Sequence, residues 1–264
     1  MVKANYHTHT TWCDGKDSPR KMIQSAIAKG FTAIGFSSHA MLPDLGLDWT
    51  LSAEKAPRYL REIRSLGEEF KDQIRVLCGV EADYLPGVAN PDRSTYASIF
   101  PDYIIGSVHW VLAEDGARVA VDHTPENLAE GIKAHFAGDA ERFVRAYYQQ
   151  VREMVEKFNF EIVGHLDLVR KFNVKTPFFD EKSDWYREEI GKTAAAVAKS
   201  GKMAEVNTGA IARGWLDDAY PSLEFREMLR TKGVKFILSS DAHTADAIDS
   251  EFDQFGDAEI YAEL

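Results

Sequence analysis

Cysteine is scarce: the 264-residue chain holds only Cys13 and Cys78. Two cysteines make no disulfide framework, and neither stands in a Cys-x-x-Cys pair. Both read as reduced thiols of a reducing compartment. Long apolar runs are missing too. None approaches the ~18 residues a membrane-spanning helix needs. The N-terminus lacks a basic segment followed by an apolar run, so no secretory leader is expected and a cytoplasmic location follows. Basic blocks are also absent. The net charge is −11, which argues against nucleic acid as the main partner and gives no reason to expect a membrane partner. Low-complexity segments and close internal repeats do not occur.

What is present is a rhythm. A short β-branched or aromatic run, a polar loop and a helical stretch follow one another seven times. The strands are expected at about 2–7, 32–39, 75–84, 102–110, 160–167, 203–209 and 235–243. The helices between them carry their own boundary signals. Ser18-Pro19 starts one, with Met22, Ile23, Ala26 and Ile27 as its apolar stripe and Gly30 as its stop. Others are expected at about 58–71, 140–158, from Ser183 to Gly201, and from Pro221-Ser222 to Gly233. A short helical segment is expected near 92–99. The polar stretch 113–139 reads as an elaborated loop with a helical turn from Thr124-Pro125. Hydrophobic residues make up 45% of the chain, enough for one large core. The rhythm predicts an α/β fold with a parallel sheet, closed into a barrel.

The histidines are placed unevenly on this frame. Six of the eight in the chain fall at or just past a strand's C-terminal end: His7, His9, His39, His109, His165 and His243. Glu81 and Asp241 do the same, and Asp14 lies in the loop after the first strand. In a parallel barrel those ends share one rim, where active sites form. A single strand-end histidine usually means hydrogen bonding in the core. Gathering this many imidazoles and carboxylates without a cation would be costly. Nine donors exceed what one zinc takes, so two or three divalent transition metals are expected. Imidazole with carboxylate suits zinc, iron or manganese. Three divalent cations against three carboxylates leave a net positive pocket, which fits a phosphate. Arg213, Arg170 and Lys171 follow the sixth and fifth strands on the same rim and are candidates to bind it. Tyr84, Trp110 and Asp83 could touch the organic part of a substrate. His123 and His135 read as ordinary loop residues.

"HTHT", "SSH", "GVEADY", "GSVHW", "GHLDLVRKF" and "SSDAH", in this order, resemble the polymerase and histidinol phosphatase (PHP) family, and its histidinol-phosphate phosphatase branch in particular. The resemblance implies a distorted seven-stranded (β/α)7 TIM-like barrel, with residues 1–264 as a single metal-dependent phosphatase domain. It implies a trinuclear centre. His7, His9, Glu81 and Asp241 would hold one metal. Glu81 would bridge to a second, completed by His109 and His165. Asp14, where many relatives have histidine, would hold the third with His39 and His243. It implies hydrolysis of the phosphomonoester L-histidinol phosphate in histidine biosynthesis, by attack of a metal-bridging hydroxide on phosphorus. Asp241 or His243 is a candidate to handle the leaving alcohol's proton. A PHP-fold phosphoesterase acting on a nucleoside phosphate, a phosphodiester or phosphotyrosine is the alternative. An amidohydrolase-type barrel expects lysine where His109 stands, and a non-catalytic module would have lost ligands. The sequence leaves oligomeric state open.

Overall fold

The structure is a computed structural model that describes residues 3–42, 47–255 and 263–264. Seven parallel strands form its sheet: β1 (Ala4–Asn5), β2 (Ala33–His39), β3 (Arg75–Asp83), β4 (Ile104–Ser107), β7 (Ile162–Val163), β8 (Met203–Asn207) and β9 (Phe236–Ser239). They pair in that order. The first and last strands meet just beyond their ends. Thr8 bridges Ala242, the His9 N–H donates to the Ala242 carbonyl at 2.8 Å, and the Ala242 N–H donates to the His7 carbonyl at 3.3 Å. The barrel therefore closes at its rim, and the closing bonds run through the backbone of the two histidine-rich segments.

Five of the helices surround the barrel: α1 (Pro19–Ala28), α2 (Ala56–Phe70), α4 (Ala140–Lys157), α5 (Asp184–Ser200) and α7 (Leu223–Thr231). Their starts follow from local chemistry. The Ser18 side chain accepts from the Lys21 N–H and Pro19 occupies the first turn. Asp139 does the same for Arg142 at the head of α4. Ser183 precedes α5 as expected, but its hydroxyl donates to the Asp180 carbonyl instead of capping the helix. A large core fills the space between sheet and helices. A smaller one, of Tyr6, Ala33, Leu77, Tyr103, Ile105, Ile162 and Ile237, fills the barrel interior.

Strand periodicity sorts the side chains between those cores. Along β3, Cys78, Val80 and Ala82 join the large core, while Leu77 joins the inner one. The same column continues from Leu77 through Gly79 to Glu81 and Asp83. Along β8, Ala204 and Val206 join the large core, leaving Glu205 and Asn207 on the other face. The inward columns are thus apolar low in the barrel and polar at the rim.

Three expectations change. The stretch read as an elaborated loop begins inside an antiparallel hairpin, β5 (Trp110–Leu112) with β6 (Arg118–Ala120). It also holds a full helix, α3 (Pro125–His135), with Thr124 as its cap. Trp110 therefore belongs to the hairpin rather than to the fourth strand. Residues 92–99 form turns and no helix. Several ladders also stop short of the expected limits, and β7 keeps two residues. The cause is the site itself. Past the strand ends, carboxylates take the backbone donors: the His109 N–H goes to Asp83 at 3.1 Å, and the His165 N–H goes to Glu205 at 2.6 Å. A short helix, α6 (Gly209–Ala212), follows β8 and was not expected.

Candidate metal centre

The rim gathers all nine candidate ligands. Glu81, fully buried on β3, stands at their middle. Its Oε2 lies 2.9 Å from His39 Nδ1, 3.3 Å from His7 Nε2 and 3.5 Å from His9 Nε2. Its Oε1 lies 3.0 Å from His165 Nε2 and 3.4 Å from His109 Nε2. Asp241 Oδ1 adds contacts of 3.2 Å to His9 Nε2 and 3.6 Å to His7 Nε2. On the other side of His9, Asp14 approaches His243 Nε2 at 3.1 Å. It also approaches His9 Nδ1 at 3.7 Å and His39 Nε2 at 3.8 Å.

Three overlapping groups have donor atoms close enough to share a cation: His9, Asp14, His39 and His243; His7, His9 and Glu81; and His39, Glu81 and His109. His7 Nε2, His9 Nε2, His39 Nδ1, Glu81 Oε2 and Asp14 Oδ1 are buried and have no hydrogen-bond partner. Buried polar atoms rarely remain unpaired in a protein. Five gathered on one rim, all with lone pairs suited to a borderline metal, fit divalent cations.

The electrostatics agree with that chemistry. Burial alone would raise the Glu81 carboxyl. His39, His7 and His109, with the His165 hydrogen bond, outweigh it and hold it well below the usual range. Asp241 is held low in the same way, chiefly by Arg213 and His7 against burial. His7, His9, His39 and His109 move in the opposite sense. Burial would lower His109, but Asp83 and Glu81 raise it to about 10. Cation binding at such a set displaces protons from the imidazoles.

Local backbone features hold the ligands. Asp241 has φ +51°, a left-handed conformation that costs a non-glycine residue about 1 kcal/mol or more. Its carbonyl accepts from Arg213 Nη1 at 3.1 Å and from His243 Nδ1 at 2.9 Å, which secures the turn and leaves His243 Nε2 facing Asp14. In the opening loop, Gly15 packs directly on the His9–Thr10 backbone. A Cβ there would lie 2.4 Å from the Thr10 nitrogen, so only glycine lets the loop fold back and present Asp14.

The cationic candidates separate. Arg213 reaches the centre and pairs with Asp241 Oδ2 at 2.9 Å. Arg170 is buried and engaged by Glu181 at 2.6 Å and Asp167 at 3.2 Å. Lys171 pairs with Asp122 at 3.0 Å. Tyr84 is buried against Phe158, and Asp83 points at His109 Nδ1, 2.8 Å away. His135 pairs with Asp115 on the surface, and His123 is exposed.

Sequence reasoning missed Glu205. It is fully buried on β8 and touches His7 Nδ1 at 2.8 Å. Its parity in "MAEVN" matches that of Glu81 in "RVLCGVEAD", a signal that was there to be used. Cys13, read from the sequence only as a reduced thiol, lies in the opening loop beside the site. Its sulfur lies 3.4 Å from His9 Nδ1.

The PHP domain model matches residues 5–209. The chain is 30% identical over 242 residues to the probable histidinol-phosphatase of Deinococcus radiodurans, covering 90% of this chain and 85% of that one. It is 26% identical over 268 residues to the histidinol-phosphatase of Bacillus subtilis, covering 97% and 98%. Among solved structures, the histidinol phosphate phosphatase of Lactococcus lactis, in complex with zinc, L-histidinol and phosphate, aligns with a TM-score of 0.65 at 25% identity. That alignment covers 92% of this chain and 87% of that chain. A Listeria monocytogenes structure aligns with a TM-score of 0.85 at 22% identity, over 96% of this chain and 100% of that one, a likeness of fold.

Proposed function

The chain belongs to the PHP domain family, and from that premise we propose that it is a metal-dependent phosphomonoesterase that hydrolyses L-histidinol phosphate to L-histidinol and phosphate. The observation that carries this is the set of five unpartnered, buried donor atoms on the rim, four at or beside Glu81 and one on Asp14. The curated relatives, which match nearly end to end, and the zinc, histidinol and phosphate in the Lactococcus structure support the substrate. We take residues 1–264 as one catalytic domain. We assign His7, His9, Asp14, His39, Glu81, His109, His165, Asp241 and His243 to two or three divalent cations, zinc, iron or manganese.

When bound, such cations neutralise phosphoryl oxygens and acidify a water at neutral pH. The protein's own groups do the rest. Arg213 has guanidinium donors beyond the two given to Asp241, and we assign these to phosphoryl oxygens. Arg170 and Lys171 pair with Asp167, Glu181 and Asp122 and so tie together the loops that carry them. Asp241 and His243 share one loop at the rim and form the proposed proton-handling pair for the leaving alcohol. The place of action is the cytoplasm, supported by two unpaired cysteines. Among the described residues no helix is long and apolar enough to cross a membrane.

The test is substrate preference. Phosphate release is measured from L-histidinol phosphate beside nucleoside monophosphates, a phosphodiester and phosphotyrosine. The highest kcat/KM is expected for histidinol phosphate. A higher value for a nucleotide or the diester overturns this reading.

A further inference from the structure

We propose that Glu205 is a positioning residue, which fixes the His7 imidazole with Nδ1 protonated and the Nε2 lone pair aimed at the metal centre. The inference rests on the metal-site reading above and adds a residue to it.

Glu205 has the burial and charge of a ligand but not the geometry of one. Its side chain is wholly buried. Oε2 accepts from His7 Nδ1 at 2.8 Å and from the Ser239 hydroxyl at 2.6 Å. Oε1 accepts from the His165 N–H at 2.6 Å and from Asn207 Nδ2 at 2.9 Å. Four donors fill the roughly four acceptor directions of a carboxylate. No lone pair is left for a cation or for substrate. Glu81 differs in that its Oε2 has no hydrogen-bond partner. Two glutamates of equal parity on two strands thus take different work, one facing the metals and one holding a histidine that does.

The effect on His7 is specific. With Nδ1–H committed to Glu205, the tautomer is set and Nε2 carries the lone pair. That atom is buried without a hydrogen-bond partner and points towards Glu81 and Asp241. A carboxylate behind a ligating histidine orients the ring and raises its basicity. Glu205 also links the ends of β7, β8 and β9 to the segment after β1, so the His7 ring is fixed relative to four of the seven strands.

Glu205→Gln separates this role from mere packing. The His165 N–H cannot give up its proton, so the glutamine carbonyl oxygen stays with it and the NH2 faces His7. His7 Nδ1 must then accept, and the proton moves to Nε2, into the metal centre. The experiment titrates zinc, by competition with a chelator, into the wild-type chain and Glu205→Gln. Long-range 1H–15N spectra of the zinc-loaded wild type locate the His7 proton. Expected are a proton on Nδ1 in the wild type and zinc affinity weakened about 10–100-fold in the variant. The far-ultraviolet circular dichroism should be unchanged. Equal zinc affinity in a folded variant overturns the inference, and so does a His7 proton on Nε2 in the wild type. If the variant does not fold, the wild-type spectrum decides alone. A wild-type chain that takes up no zinc overturns the functional reading and this inference with it.

Discussion

At the scale of single residues, three of the centre's histidines are held from behind, His7 by Glu205, His109 by Asp83 and His243 by the Asp241 carbonyl. Asp83 takes the His109 Nδ1–H at 2.8 Å and its backbone N–H at 3.1 Å. The Asp241 carbonyl takes that of His243. Fixing the rear nitrogen aims the front one, and that is the information a metal site needs. Asp83→Asn is expected to weaken zinc binding about tenfold, read by chelator competition, with the fold retained. Unchanged affinity would show that His109 needs no such support. Gly15→Ala tests the opening loop. The new Cβ would meet the His9–Thr10 backbone, so Asp14 must move away. Loss of metal from the Asp14–His39–His243 group is expected, measured as fewer metal ions per chain. A full complement would contradict that. The histidines and Glu81 were legible in sequence because strand-end position alone marks them. The inward face of Glu205 was legible from strand parity, but the roles of Glu205 and Asp83 were not, because they depend on which ring nitrogen each reaches, and spacing does not encode that. Arg170 looked like Arg213 in sequence for the same reason: its acidic partners, Asp167 and Glu181, become visible only when the loop is folded.

At the scale of elements, the helices with clear caps were read to within about two residues, since cap chemistry is local. The hairpin β5–β6 was not. Its strands have three residues each, too few to show a period, and Trp110 continues the apolar run of the preceding strand. Helix α3 was reduced to a turn because its sequence, "PENLAEGIKAH", is polar and interrupted by Gly131. That glycine has a packing reason. A Cβ there would stand 2.4 Å from Val119 Cγ1 on β6, and a β-branched side chain yields little. Helix propensity favours Gly131→Ala by about 1 kcal/mol. Overpacking costs about 1–3 kcal/mol and should win, giving net destabilisation in urea unfolding. A stabilised variant would show that the hairpin and α3 are loosely joined. Asp17 stitches a second junction. It accepts from the Ala245 N–H and from Lys21, tying the loop that follows His243 to the start of α1. Those bonds hold its carboxyl below the ordinary value. A depressed carboxylate contributes stability above its unfolded value, about 3.9, and loses it as pH falls through the folded value. The wild type should therefore melt above Asp17→Asn near neutrality, with the gap shrinking below about pH 4. A gap that persists in acid would contradict the charge-based account.

At the scale of the whole molecule, the barrel and its chemistry depend on each other. The sheet is seven parallel strands in sequence order, legible from the alternation of strand and helix. Its closure was legible only as an inference, because it rests on the Thr8–Ala242 bridge beyond the strand ends. That bridge lies between two ligand-bearing segments, so bound cations should tighten the same seam. Zinc at about one hundred times its dissociation constant should stabilise the fold by about 2.7 kcal/mol, seen as a rise in Tm. An unchanged Tm would mean that the ligands bind no cation. Arrangement, closure and catalysis then reduce to one claim, that the rim histidines and carboxylates hold the ions on which turnover depends. The most direct measurement strips the protein with a chelator, restores zinc or manganese in steps, and follows phosphate release from L-histidinol phosphate against metal bound per chain. The account predicts no turnover in the stripped protein and a rate that climbs with bound metal. A rate independent of metal content would contradict it.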